Sequence, residues 1–363
     1  MSQHDLLATL AEIIPGTTLA EAREIREAAT LHAQGSYEAL FAEQSHSGLS
    51  LADRLHLARR VAGWHEDALL SEHYTQRLSD QPASERLISA LDQAERLSFQ
   101  PVQANPDNLH ALIDAGFNEE EIVTLSQIVG FVAFQSRLLR GLRLLGNKPV
   151  SGEQTRVPGA GEWHRQPQTH SGKSAPVAFT QAELGWEPWI AAKPFAEFSP
   201  EQQETLKRFG HQDSDYFRLL GRNLRVLEER TLTDKGIFFT SGGLPRAERE
   251  LAAAVASKVN GCIFCASVHA RKASQLSKNN QAVEQLLAVQ PGHALSEGQS
   301  PRWQAEIDFA ASLSATPSSA SHQQIEALRA LGLSELELLD LVQSTAFFAW
   351  ANRLMLTLGE PFN

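Results

Sequence analysis

Apolar positions recur at three- and four-residue steps along most of the chain, which is the signature of amphipathic helices. From Leu19 to Ala33, the positions Ala22, Ile25, Arg26, Ala29 and Ala33 fall along one side; from Ser50 to Gly63, Leu51, Leu55, Ala58 and Val61 do the same. Each stretch predicts an amphipathic helix. Alternating β-branched runs, the raw material of a sandwich or a doubly wound sheet, are nearly absent. The pattern predicts an all-α fold with no sheet of more than two short strands.

Between Gly146 and Pro200 the helical period gives way to Pro, Gly, Ser, Gln and His, as in Gly159-Ala160-Gly161, marking a long connector between two halves. Trp163, Trp186 and Trp189 lie within it, and a freely solvated linker would leave their large apolar faces in water. Part of the connector is therefore expected to dock. Gly185 to Trp189 reads as a packing strap, with a lid over an active site or a subunit contact as the functional alternative. The halves on either side are related. Moving Ala111–Leu142 by 216 positions superimposes twelve identical residues in thirty-two, Gly116, Glu121, Gln127, Phe131 and Arg137 among them. Each copy ends in a long helix, Glu119 to Leu145 and Ser334 to Leu358, while the upstream parts align poorly. The expected organisation is a cysteine-free helical repeat domain at 1–146, a connector at 147–200 and a second helical domain at 201–363.

A length of 363 residues suits about two domains, each able to bury its own core. The net charge of -11 repels phosphate backbones and anionic lipid, so neither nucleic acid nor a membrane surface is an expected partner. Met1 to Asp5 lacks the basic and apolar regions of a signal peptide, and no apolar run approaches the ~20 residues of a spanning helix. With only two cysteines, too few for a secreted disulfide scaffold, these features point to a cytoplasmic protein.

The two cysteines carry the chemistry. Leu244-Pro245-Arg246-Ala247-Glu248-Arg249-Glu250 opens a helix that runs to Asn260-Gly261, and the chain continues Cys262-Ile263-Phe264-Cys265-Ala266-Ser267-Val268-His269. If Cys262 starts the next helix, Cys262, Cys265 and His269 project within about 60° of one another. A helix N-terminus favours thiolate, cysteines three apart can cycle between dithiol and disulfide, and an imidazole one turn beyond Cys265 can take its proton. A carboxylate from the preceding helix would fix the imidazole tautomer; Glu250 is the candidate and Glu248 its substitute. Three readings compete with redox use. Inert buried thiols are disfavoured by the close spacing, a closed zinc site lacks a fourth ligand, and a thioredoxin-like unit would place the motif after a strand. His73 falls near the expected counterpart of His269 and reads mainly as a surface or satisfied histidine. His164, His170, His293 and His322 lie in polar, loop-like contexts and receive no role.

Glu250, the Asn260-Gly261-Cys262-x-x-Cys265 turn and His269 resemble the active-site signature of the alkyl hydroperoxidase D family, within the carboxymuconolactone decarboxylase superfamily. The match is specific from Glu248 to Leu358, and the whole chain resembles two-domain members labelled peroxidase-related. The resemblance implies an all-helical domain, usually in homo-oligomers, that reduces hydroperoxides without a bound cofactor and is re-reduced by an external dithiol such as dihydrolipoamide or a thioredoxin-like protein. It implies Cys265 as the attacking thiol, Cys262 as the resolving one, and His269 with Glu250 as the proton relay. Well-known members carry a second histidine just before the second cysteine; here that position is Phe264. The superfamily also allows acid–base chemistry on a lactone or quinone-like molecule through His269 and Glu250, and a redox-sensing oligomer is a third possibility.

Overall fold

Cap residues written into the sequence set where the longest helices begin. Asn118 and Ser334 each accept a hydrogen bond from the backbone N–H three residues on, and Glu121 and Glu337 reach back to the cap N–H groups, closing two capping boxes. The computed structural model describes residues 5–42, 48–78 and 81–363, so of the Met1–Asp5 segment only Asp5 is among them. The first half contains α1 (Leu6–Leu10), α2 (Thr18–Ile25), α3 (Glu27–Phe41), α4 (Leu51–Trp64), α5 (Ala68–Leu78), α6 (Glu85–Phe99), α7 (Pro106–Asp114) and α8 (Glu119–Leu145). After the connector come α9 (Pro200–Phe209), α10 (Asp215–Leu220), α11 (Leu224–Phe238), α12 (Arg246–Asn260), α13 (Ile263–Ser277), α14 (Asn280–Ala288), α15 (Pro301–Ser314), α16 (His322–Ala330) and α17 (Glu335–Thr357). Among the described residues the sheet consists of β1 (Gly185–Pro188) paired antiparallel with β2 (Gly359–Phe362). The protein is mostly helical.

Element starts recur at two spacings. The pairs α4/α12 and α5/α13 begin 195 residues apart, whereas α6/α15, α7/α16 and α8/α17 begin 216 apart. The difference of 21 residues is taken up by α14 and the loop after it, which have no counterpart between α5 and α6. Interactions recur as well. Arg54 Nε donates to the Leu49 carbonyl as Arg249 Nε does to that of Leu244, and Arg86 pairs with Glu121 as Arg302 does with Glu337.

The core sits where α8 and α17 pack along each other. A Cβ on Gly130 would lie 2.5 Å from the Trp350 ring, so this mid-helix glycine is the notch that lets the indole seat, with its Nε1 donating to Gln127 Oε1 at 2.8 Å. α8 has the length and mean hydropathy (1.5) of a spanning helix, contrary to the expectation that no such apolar run exists, but every residue of that window is buried among other helices.

The Leu19–Ala33 segment is not one helix. It breaks at Arg26, whose φ/ψ of -102°/33° leaves the helical region, and Ile25 is 60% exposed where the apolar side was expected. The reason is tertiary. The buried Arg26 guanidinium donates to both Asp340 carboxylate oxygens (2.6 and 2.9 Å) and to the carbonyls of Ser241 and Gly242. Leaving such a buried charge unpaired costs about 3–5 kcal/mol, more than one helical turn supplies. In the connector, Trp186 is buried and donates to the Met355 carbonyl, and the Trp163 ring lies over the buried Lys258 ammonium. Gly185–Trp189 is a strap held by β2.

Candidate active site

α12 ends at Asn260 because Gly261 adopts φ 78°, a left-handed conformation that closes the helix. Gly261 is also required by contact, since a Cβ there would meet the Glu162 carbonyl of the connector at 2.1 Å. Cys262 follows as the N-cap of α13 in extended conformation (φ -88°, ψ 93°), so it lies just outside the helix and not within its first turn as expected. Cys265 and His269 are one turn apart on α13 and share a face.

The structure brings Glu250 and His269 together. His269 Nδ1 donates to Glu250 Oε2 at 2.5 Å, which fixes the tautomer and leaves Nε2 as the acceptor. Glu250 is fully buried, and burial alone would raise its pKa, but His269 and the Arg246 guanidinium (2.5 Å) together hold it below the usual carboxylate range. Glu248, the substitute, faces elsewhere and pairs with Arg302 at 2.8 Å. Phe348 stands 4.4 Å edge-on to the His269 ring, with Phe238 behind it. Asp234 lies beside the pair, its pKa raised by desolvation.

Both thiols are buried and unbridged. Desolvation first, and then the neighbouring Cys265 sulfur, push the Cys262 thiol well above its ordinary range, with the Asn352 amide opposing the rise. Asn352 is itself held, donating to Ser257 Oγ (3.0 Å) and accepting from Asn260 Nδ2 (3.0 Å). Tyr216 lies close enough to feel both sulfurs. A cavity of about 130 Å³ reaches Cys262; Ile263, Phe264, Met355 and Leu356 form its apolar wall, and His164 and His170 of the connector belong to its lining. Neither histidine was assigned a role from the sequence, because nothing local shows that the connector folds back over the turn. Asn352 was missed for the same reason, lying 92 residues beyond the Asn260 it bonds. Arg246 stands one helical turn before Glu250 and was readable from spacing.

His73 does not occupy the place of His269. At the α5/α13 spacing that place is Tyr74, while His73 Nε2 meets Tyr37 Oη at 2.7 Å, its pKa depressed to about 4, chiefly by burial. Among the described residues, no three of His, Cys, Asp and Glu converge as a metal-ligand group.

Residues 225–305, from α11 into α15, match the carboxymuconolactone decarboxylase family. The chain carries a carboxymuconolactone decarboxylase-family domain. Glu250, Cys262, Cys265 and His269 all fall inside it, whereas His164 and His170 of the cavity lining and Asn352 of α17 lie outside. Among curated proteins, none matches the chain.

Proposed function

We propose that the protein is a thiol-dependent peroxidase working through a Cys262/Cys265 dithiol–disulfide cycle. The observation that carries this reading is the Glu250–His269 hydrogen bond, which presents a free imidazole Nε2 one helical turn from Cys265. Nε2 takes the Cys265 proton, and the thiolate attacks the terminal oxygen of a hydroperoxide. The O–O bond breaks, the imidazolium returns its proton to the departing alkoxide, and Cys265 becomes a sulfenic acid. Cys262 then attacks that sulfur, water leaves, and a disulfide forms. An external dithiol restores both thiols by exchange, so no bound cofactor enters the cycle.

The recurring element spacings and paired Arg–Glu contacts support reading the halves as two related helical units. The first, free of thiols, is taken as an assembly and pocket-wall element, and the protein as a cytoplasmic homo-oligomer. The test is peroxide consumption with several dithiol donors, beside the Cys265→Ser protein. Turnover that depends on both the donor and Cys265 supports the cycle. Turnover of a lactone or quinone-like substrate that survives thiol alkylation would replace it with acid–base chemistry through His269 and Glu250.

A further inference from the structure

The turn has phenylalanine at position 264, so α13 offers no imidazole on the Cys262 side of the pair. The cavity at Cys262 supplies two from the connector. His170 is built into place. Its backbone N–H (2.8 Å) and ring Nδ1 (2.9 Å) both meet Glu360 Oε1, which also accepts the Trp189 indole N–H at 3.0 Å. Glu360 in turn is fixed by the β1–β2 ladder, where it stands opposite Glu187. A carboxylate can only accept, so Nδ1 carries the proton and Nε2 is left basic, the same arrangement as at His269.

We infer that the His170–Glu360 pair, with His164 beside it, is a second proton-handling group that serves Cys262 across the cavity they share. This deepens the peroxidase reading by giving the resolving step its base. When Cys262 attacks the Cys265 sulfenic acid, the thiol proton passes to the His170 imidazole, the S–S bond forms as the S–O bond breaks, and the same proton leaves with the hydroxide as water. Electrons balance, because the hydroperoxide has already oxidised Cys265. On reduction the attacking dithiol's thiol proton passes to the His170 imidazole, its sulfur bonds Cys265 as the S–S bond breaks, and the imidazolium then protonates the departing Cys262 thiolate.

Other titratable groups around this site do not substitute for the pair. Lys173 is paired with Glu187, whose carboxylate also accepts from Ser171 Oγ. Tyr216 is held neutral by burial, and Glu250 and Asp234 sit with His269. His164 lines the same cavity and lies near both Glu360 and His170. The connector thus lines the cavity at Cys262 and supplies its two imidazoles.

The experiment uses the full chain with Cys265→Ser, which leaves Cys262 as the one thiol, and follows iodoacetamide alkylation against pH by mass spectrometry. Replacing His170 and His164 together by Gln should slow alkylation at pH 6.5 by about tenfold and move the profile to higher pH by about one unit, with melting temperature unchanged. Glu360→Gln, which keeps both imidazoles, should give a smaller shift in the same direction, and it carries the test if the double variant unfolds. His293→Gln, outside the cavity, should leave the profile in place. Superposable profiles for the parent, the double variant and Glu360→Gln would overturn the inference. No peroxide is used, so absence of peroxidase turnover would sink the proposed cycle without touching this result, and an unmoved profile would sink the inference without touching the cycle.

Discussion

Two helix–turn–helix corners hold corresponding places in the molecule and do different things. Between α12 and α13 the chain reads Asn260-Gly261-Cys262; between α4 and α5 it reads His65-Glu66-Asp67. Both corners turn through a left-handed middle residue, Gly261 at φ 78° and Glu66 at φ 55°. After that they part. Asp67 accepts the Leu70 N–H and caps α5, while Leu70 and Leu55, at the places of Cys265 and Glu250, are core residues. Tyr74, at the place of His269, donates its hydroxyl to Gln135 at 2.6 Å. A cavity persists at both corners. That of the first half measures about 220 Å³ and is lined by Glu66, Asp67, Leu69, Ser136, Leu139 and Arg140, the positions of Gly261, Cys262, Phe264, Asn352, Met355 and Leu356. The same backbone corner thus carries different side chains in the two halves, and on the reading proposed above the thiol pair with its carboxylate–imidazole pair is what sets the α12–α13 corner apart.

Glu250→Gln and Tyr74→Phe probe that difference most strongly. Glu250→Gln should lower the rate of peroxide reaction about a hundredfold, because an amide neither selects the His269 tautomer nor stabilises its protonated form, and it should move the alkylation profile of Cys265 upward. Tyr74→Phe should cost ~1 kcal/mol of stability in denaturant titration and leave the peroxide rate unchanged. Equal rate losses in the two would erase the distinction between the corners.

The middle residues give the next effect. Gly261→Ala adds strain at positive φ and a clash with the Glu162 carbonyl, so it should destabilise by roughly 2 kcal/mol and loosen the connector. Glu66→Gly should stabilise by about 0.5–1 kcal/mol, since Gly adopts that conformation without a steric penalty. Chemical denaturation of both variants measures the pair.

How much of this was legible follows from how far apart the deciding residues lie. The α12–α13 corner could be read locally: Pro245 and acidic residues open a helix, Asn260-Gly261 closes it, and the thiols and His269 follow within eight positions. The recurrence of spacing between the halves was visible only downstream of α6, because α14 and its loop change the spacing from 216 to 195 and throw the upstream comparison out of register. His73 was accordingly placed one residue from the true counterpart, Tyr74. The break at Arg26 was illegible because its cause, Asp340, lies 314 residues away, and a period-based reading takes a residue between apolar neighbours as part of their helix. The connector histidines were invisible for the same reason. Glu360, the partner of His170, is brought there only by the β1–β2 pairing.

A smaller effect separates the halves electrostatically. Glu306 sits where the first half has Ala90, and burial, with the Glu248 carboxylate beside it, pushes its pKa up to about 9. The folded chain therefore keeps a proton that the unfolded chain releases near the ordinary value of 4.5, so this group's contribution to stability falls as pH rises from there toward 9. Glu306→Gln keeps the neutral shape and should be more stable than the parent at pH 8 by ~1 kcal/mol, with the gap closing at pH 4.5. Thermal melts across that range check the sign.

The central claim is the dithiol cycle at one corner only, and thiol counting by mass spectrometry tests it most directly. Reduced protein given one equivalent of an organic hydroperoxide should lose both alkylatable thiols and show an intramolecular Cys262–Cys265 disulfide, 2 Da lighter than the reduced chain. Oxidised protein that keeps two alkylatable thiols, or that accumulates a stable sulfinic acid with no disulfide, would contradict the account.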